Sequence, residues 1–128
     1  MSLRSPLGKV LGYGAAKEGV HHWWTQRVSA VALVVLGLWF AWALVRFDDL
    51  SYVAVIAWLA QPVNAVLMAL LVGTAAYHSQ LGVQVVVEDY VAAKGPKVVV
   101  LLISNFLHVA LGALGIFAIL KIAFGASA

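Results

Sequence analysis

With 128 residues, 64% apolar and only 10% charged, the chain has too little polar surface for a soluble domain and reads as one membrane-embedded unit. Its net charge of +3 is scattered along the sequence, so the basic patch that nucleic-acid binding requires is missing. The absence of cysteine excludes thiolate-held iron–sulfur clusters, disulfides and a cysteine nucleophile, and the length leaves no room for a flavin or nucleotide domain.

The N-terminal segment, residues 1–22, carries Arg4, Lys9, Lys17 and Glu18 without an apolar core, unlike a secretory signal peptide. It also lacks the Arg- and Ser-rich, acid-free character of a transit peptide. Gly8, Gly12, Gly14 and Gly19 make it loop-like, a segment expected to lie draped on a partner. The first span is the uncharged run Val28–Val45 between Arg27 and Arg46, predicted with its aromatic flanks as a helix over about 23–47. The next uncharged stretch, Leu50 to Val87, is too long for one helix. Its first part, up to Gln61-Pro62, reads as a loop or short interfacial helix. Pro62 then suits the first turn of a second span over about 63–89. Gly95-Pro96 reads as a breaker before a third span over about 97–124. Trp23-Trp24, Phe47, Trp58, Tyr90 and Phe124 fall near the predicted ends, as an aromatic belt would.

The fold class predicted is therefore an all-α membrane protein, a single domain over 1–128 with three transmembrane helices. Three spans put the N-terminal segment and the 88–97 loop on one side, with Arg4, Lys9, Lys17, Arg27, Lys94 and Lys97, against Arg46 and Lys121 opposite. The positive-inside rule then makes the N-terminus and the Tyr90 loop cytoplasmic.

Polar side chains inside apolar spans are costly and mark candidate sites. The second span carries Thr74, His78, Ser79, Gln80 and Gln84; the third carries Ser104, Asn105 and His108; the first opens with Gln26, Arg27 and Ser29. Thr74, His78 and Gly82 share one helical face, and a glycine one turn from a histidine leaves room for a flat macrocycle. A structural histidine with Gly82 serving close helix packing fits the same spacing. His78 and His108 each lie about 15–17 Å from the loop between their helices, so a haem clamped within the chain is geometrically allowed, as is a bland packing role for His108 with Ser104 and Gly112. Arg27 either snorkels to the surface or pairs with an anion such as a haem propionate. Tyr90 and Asp89 stand about 18 Å beyond His78 along the same helix. They read either as belt and solvated acid or as a phenol donating to a quinone carbonyl beside a proton-relaying carboxylate. Without cysteine, redox chemistry here rests on histidine-held haem or a quinone, with the harder chemistry on partner chains.

Three motifs together resemble the small hydrophobic membrane-anchor subunit of succinate dehydrogenase, of the bacterial type related to the mitochondrial enzyme. They are Lys17-Glu-Gly-Val-His21-His-Trp-Trp-Thr-Gln-Arg27, then Tyr77-His78-x3-Gly82-x-Gln84, then Glu88-Asp89-Tyr90-Val91. The resemblance covers nearly the whole chain. It implies that His78 is one axial ligand of a b-type haem whose second ligand comes from the larger cytochrome b anchor subunit, against a clamp by His108. It also implies that Tyr90, with Asp89 close by, contacts ubiquinone, and that Arg27 and His21 lie near the haem propionates. The implied partners are that larger anchor, an iron–sulfur subunit and a flavoprotein subunit, with the chain in the bacterial inner membrane. The anchor of fumarate reductase or another b-type cytochrome is the near alternative. A non-redox scaffold or small transporter is the distant one.

Overall fold

A computed structural model of the chain describes residues 17–125. Arg4 and Lys9 from the charge count, and Gly8, Gly12 and Gly14 from the loop reading, lie outside them. Among the described residues all regular structure is helical: α1 (Lys17–Val45), α2 (Tyr52–Leu59), α3 (Pro62–Tyr90) and α4 (Lys94–Gly125). Three stretches are long and apolar enough to cross a membrane, Val20–Val45, Pro62–Tyr90 and Lys94–Gly125, which is the all-α, three-span architecture expected. A helix of 29 residues such as α3 extends about 43 Å, well beyond a hydrocarbon core of about 30 Å, so the helices tilt or carry their ends into the headgroup region.

Each boundary has a local cause. Ser51 caps α2, its hydroxyl accepting the Ala54 N–H at 3.4 Å, while the Asp49 carboxylate accepts the Ser51 N–H at 2.9 Å. Pro62 occupies the first turn of α3, where its missing N–H has no intrahelical acceptor to lose. The Asn64 side-chain amide donates to the Trp58 carbonyl at 2.9 Å, adding to the Gln61 N–H at 3.3 Å and tying the end of α2 to the start of α3. At the other end of α3 the Lys97 ammonium donates to the Glu88 carbonyl at 2.8 Å, placing a cation where the helix dipole is negative. Gly95-Pro96 does not break the third span. It lies in the first turn of α4, for the same reason that admits Pro62. Gly19 likewise lies within α1 and not in a loop.

Tertiary packing makes a layer and not a closed bundle. α3 is the middle helix, packed against α4 on one side and α1 on the other, while α1 and α4 make no backbone-level contact. Both pairings are antiparallel. Against α3, Ala76 meets Gly112 and Val72 meets Gly115, so residues advance on one helix as they retreat on the other. The short α2 closes the end away from Tyr90, with Leu59, Ala65 and Ile119 forming a small cluster flanked by Trp58, Met68 and Ile122. Trp58 stacks on Trp39 with ring centres 5.7 Å apart and meets Phe47 edge-on at 5.4 Å, so it packs α2 onto α1.

Lipid tails are as apolar as leucine, so helices in a membrane associate through close van der Waals contact. The α3–α4 seam achieves this with glycine. A methyl group built on Gly112 would sit 3.2 Å from the Ala76 Cβ, and one on Gly115 would sit 2.8 Å from Val72 Cγ1. Because Val72 is stiff at χ1, Gly115→Val is expected to destabilise the pair by about 1–3 kcal/mol. That would appear as a lower thermal midpoint of the detergent-solubilised protein. Gly37→Ala meets nothing within 4 Å in this chain and favours the helical backbone, so it should not lower the midpoint. Equal behaviour of the two variants would show that the seam does not depend on glycine.

Candidate functional site

The polar residues of the spans gather on two sides of α3, and His78 and Ser79, adjacent in sequence, face different neighbours. His78 turns toward α1. Its Nδ1 lies 2.9 Å from the Ser29 hydroxyl, and its Nε2 lies 3.5 Å from the Gln26 side-chain nitrogen. Ser29 is 6% exposed, the one buried polar residue among those described, and its hydroxyl donates to the Gln26 carbonyl at 3.1 Å. Gly82 belongs to this face as its spacing predicts: a Cβ there would stand 3.9 Å from the Gln26 amide.

Sequence reasoning missed how much of this site α1 supplies. Gln26 and Ser29 stood only as polar residues opening a span, and His22 as part of an interfacial anchor. The signal was the spacing: His22, Gln26 and Ser29 recur four and three residues apart, hence on one helical face. Two atoms of that stripe, His22 Nε2 and Gln26 Oε1, are buried without a hydrogen-bond partner among the described residues. Buried orphans of this kind are uncommon and mark a place where a further polar group is wanted.

His108 has a different surrounding. The Ser104 carbonyl, which can only accept, lies 2.7 Å from its Nδ1, so Nδ1 carries the proton. Nε2 then accepts from the Ser79 hydroxyl at 3.1 Å. Both ring nitrogens are spent inside the chain, and the imidazole lies in a groove of about 500 Å³ shared with Gln80 and Asn105. The two histidines are not brought face to face. A second groove, about 570 Å³, runs between α1 and α3 beside Ser29, Thr74 and Tyr77.

The remaining candidates are exposed. Tyr90 ends α3 at 84% exposure with no hydrogen bond of its side chain among the described residues, and Asp89 beside it is also exposed. Glu88 instead accepts from the Gln84 amide at 2.8 Å. Arg27 lies between Gln26 and Ser29 and is therefore level with His78 along the membrane normal. Its helix begins ten residues earlier, so Arg27 stands about 15 Å inside α1 and not at its mouth. The guanidinium is exposed and folds back over the Trp23 ring at 5.5 Å, toward the end of the layer that holds Tyr90. His21 is exposed as well, and the helical screw puts it on the opposite flank of the polar stripe from Arg27.

A metal ion bound by protein side chains alone needs several converging ligands. Among the described residues no group of three or more His, Asp or Glu side chains is placed to hold one.

Comparison with known proteins agrees with this architecture. Residues 1–112 match the family described as "Succinate dehydrogenase/Fumarate reductase transmembrane subunit". Over 90 residues the chain is 39% identical to a succinate dehydrogenase hydrophobic membrane anchor subunit of Rickettsia bellii, covering 70% of this chain and 71% of the relative. It is 31% identical over 122 residues to the protein of the same name from Paracoccus denitrificans, covering 95% and 94%. With three membrane-length helices and a match over most of its length, the chain belongs to the family of succinate dehydrogenase and fumarate reductase transmembrane subunits.

Proposed function

We propose that this protein is the small membrane-anchor subunit of a bacterial succinate dehydrogenase, a multi-pass protein of the inner membrane that completes a haem site and a quinone site with its partner subunits. Family membership supports the anchor role over an unrelated scaffold or transporter. The names of the relatives favour succinate dehydrogenase over fumarate reductase. The single observation that carries the site assignment is His78: mid-helix in α3, its Nδ1 engaged by Ser29 and its Nε2 held only by a long contact. His108, with both nitrogens bonded, is a poor competitor. His78 would hold haem b through its Nε2, together with a histidine of the larger cytochrome b anchor. When bound, the haem offers a one-electron store between the soluble subunits and the quinone.

The N-terminus and the Tyr90 loop face the cytoplasm in this reading, as the lysine and arginine asymmetry implies, and the flavoprotein and iron–sulfur subunits dock on that face. Succinate loses two electrons and two protons to become fumarate; ubiquinone gains two electrons and two protons to become the quinol. The Tyr90 phenol donates a hydrogen bond to a quinone carbonyl, which favours the charge that builds on that oxygen during reduction. Asp89 takes up protons from water and passes them toward the head group. Arg27, level with His78 and directed toward the Tyr90 end, holds a propionate by a charge-assisted bond. His21, on the other flank of α1, is the second residue that would lie near the propionates.

His78→Ala in the assembled complex is expected to abolish or shift the b-haem absorbance, and an unchanged spectrum would overturn the ligand assignment. His108→Ala should leave that spectrum intact; loss of haem would instead favour a clamp within the chain. Tyr90→Phe removes one hydrogen bond worth about 1 kcal/mol and should lower quinone reduction roughly five- to tenfold, while succinate oxidation with an artificial acceptor is retained. An equal loss of both activities would point to failed assembly.

A further inference from the structure

We infer that Ser29 is a positioning residue for the haem ligand, fixing His78 in the tautomer with its proton on Nδ1 and its lone pair on Nε2. The inference rests on the assignment of His78 as an axial ligand and adds a residue on a different helix. A hydroxyl carries one proton, and that of Ser29 is directed to the Gln26 carbonyl at 3.1 Å. With the proton so placed, the same oxygen faces His78, 2.9 Å away, as an acceptor, and the complementary tautomer has its hydrogen on Nδ1. A neutral imidazole protonated at Nδ1 has its lone pair on Nε2. The group standing on that side agrees: the Gln26 side-chain nitrogen, a donor, faces Nε2 at 3.5 Å. That distance is beyond an ordinary hydrogen bond, and a glutamine has the rotamer freedom to swing aside.

The consequence for the ligand is both geometric and electronic. An acceptor on Nδ1–H holds the ring plane and raises the basicity of the opposite nitrogen, as hydrogen-bonded partners of metal-bound histidines do elsewhere. Ser29 is buried, and no other group among the described residues is bonded to Nδ1. Deleting the hydroxyl leaves Nδ1–H unpaired and Nε2 a weaker donor, which disfavours the ferric state relative to the ferrous. A tenfold change in the preference for the ferric over the ferrous state moves a one-electron midpoint by about 59 mV.

The test uses the complete complex carrying Ser29→Ala, Ser29→Thr or His78→Ala, read by redox titration of the b-haem and by the low-spin signal in electron paramagnetic resonance. Ser29→Ala is expected to raise the midpoint potential and shift the resonance, or to lose haem, while Ser29→Thr, which keeps the hydroxyl, stays near the parent. An unchanged potential and resonance in Ser29→Ala would overturn the proposal, as would equal effects of Ala and Thr, which would mark a packing role. His78→Ala separates the two levels. If it leaves the haem spectrum intact, the ligand assignment fails and the role of Ser29 fails with it. If it removes the haem while Ser29→Ala changes nothing, only the role of Ser29 fails.

Discussion

Water is absent from the hydrocarbon core, and that constraint shapes every feature described above. Each backbone polar group must be satisfied within its own helix, so the described spans are unbroken helices and both prolines among the described residues, Pro62 and Pro96, lie in first turns, where no hydrogen bond is sacrificed. The same solvent withdraws the usual reason for apolar faces to meet. No large side chain is fully buried among the described residues, and the three long helices form a layer around α3 in place of a core. What joins them is of two kinds. On the α4 side it is glycine, which lets backbones approach; on the α1 side it is a polar seam centred on His78. The two sides of α3 thus do different work, and a histidine sits in each.

The pairing of His78 with Ser29 joins stability to function. A polar group in lipid costs less when it has a partner, so the bond helps hold α1 to α3. It also leaves one face of the imidazole available. The contrast with His108 is instructive because the two residues are chemically identical and similarly deep. Ser104 and Ser79 engage both nitrogens of His108, whereas His78 has one close partner and one distant one. Availability, not residue type, distinguishes the candidate ligand.

Much of the fold was legible in the sequence, because charge gaps and helix-start chemistry are local. Arg27, Arg46 and the prolines bracket the spans, and the short helix before Pro62 follows from a run too long for one crossing. Gly95-Pro96 misled because the same dipeptide ends a helix or begins one, and only the surrounding backbone decides. The His78–Tyr90 spacing could be read along a single helix. The seam could not: Ser29 is 49 residues from His78, and which face of α1 meets α3 is fixed by packing that no local pattern encodes. Even so, the recurrence of His22, Gln26 and Ser29 on one face was present in the sequence and pointed inward.

The layer has a consequence for how the chain enters the membrane. α1 is made first, and the partner of Ser29 and Gln26 follows 49 to 52 residues later. While α3 is still on the ribosome, α1 must remain in the bilayer with the Gln26 side chain and the second hydrogen-bonding site of Ser29 lacking their partner on α3. The uncharged run from Ala30 to Val45 is what retains it over that interval. Shortening or polarising this run would therefore delay or abort insertion before α3 can pack against α1.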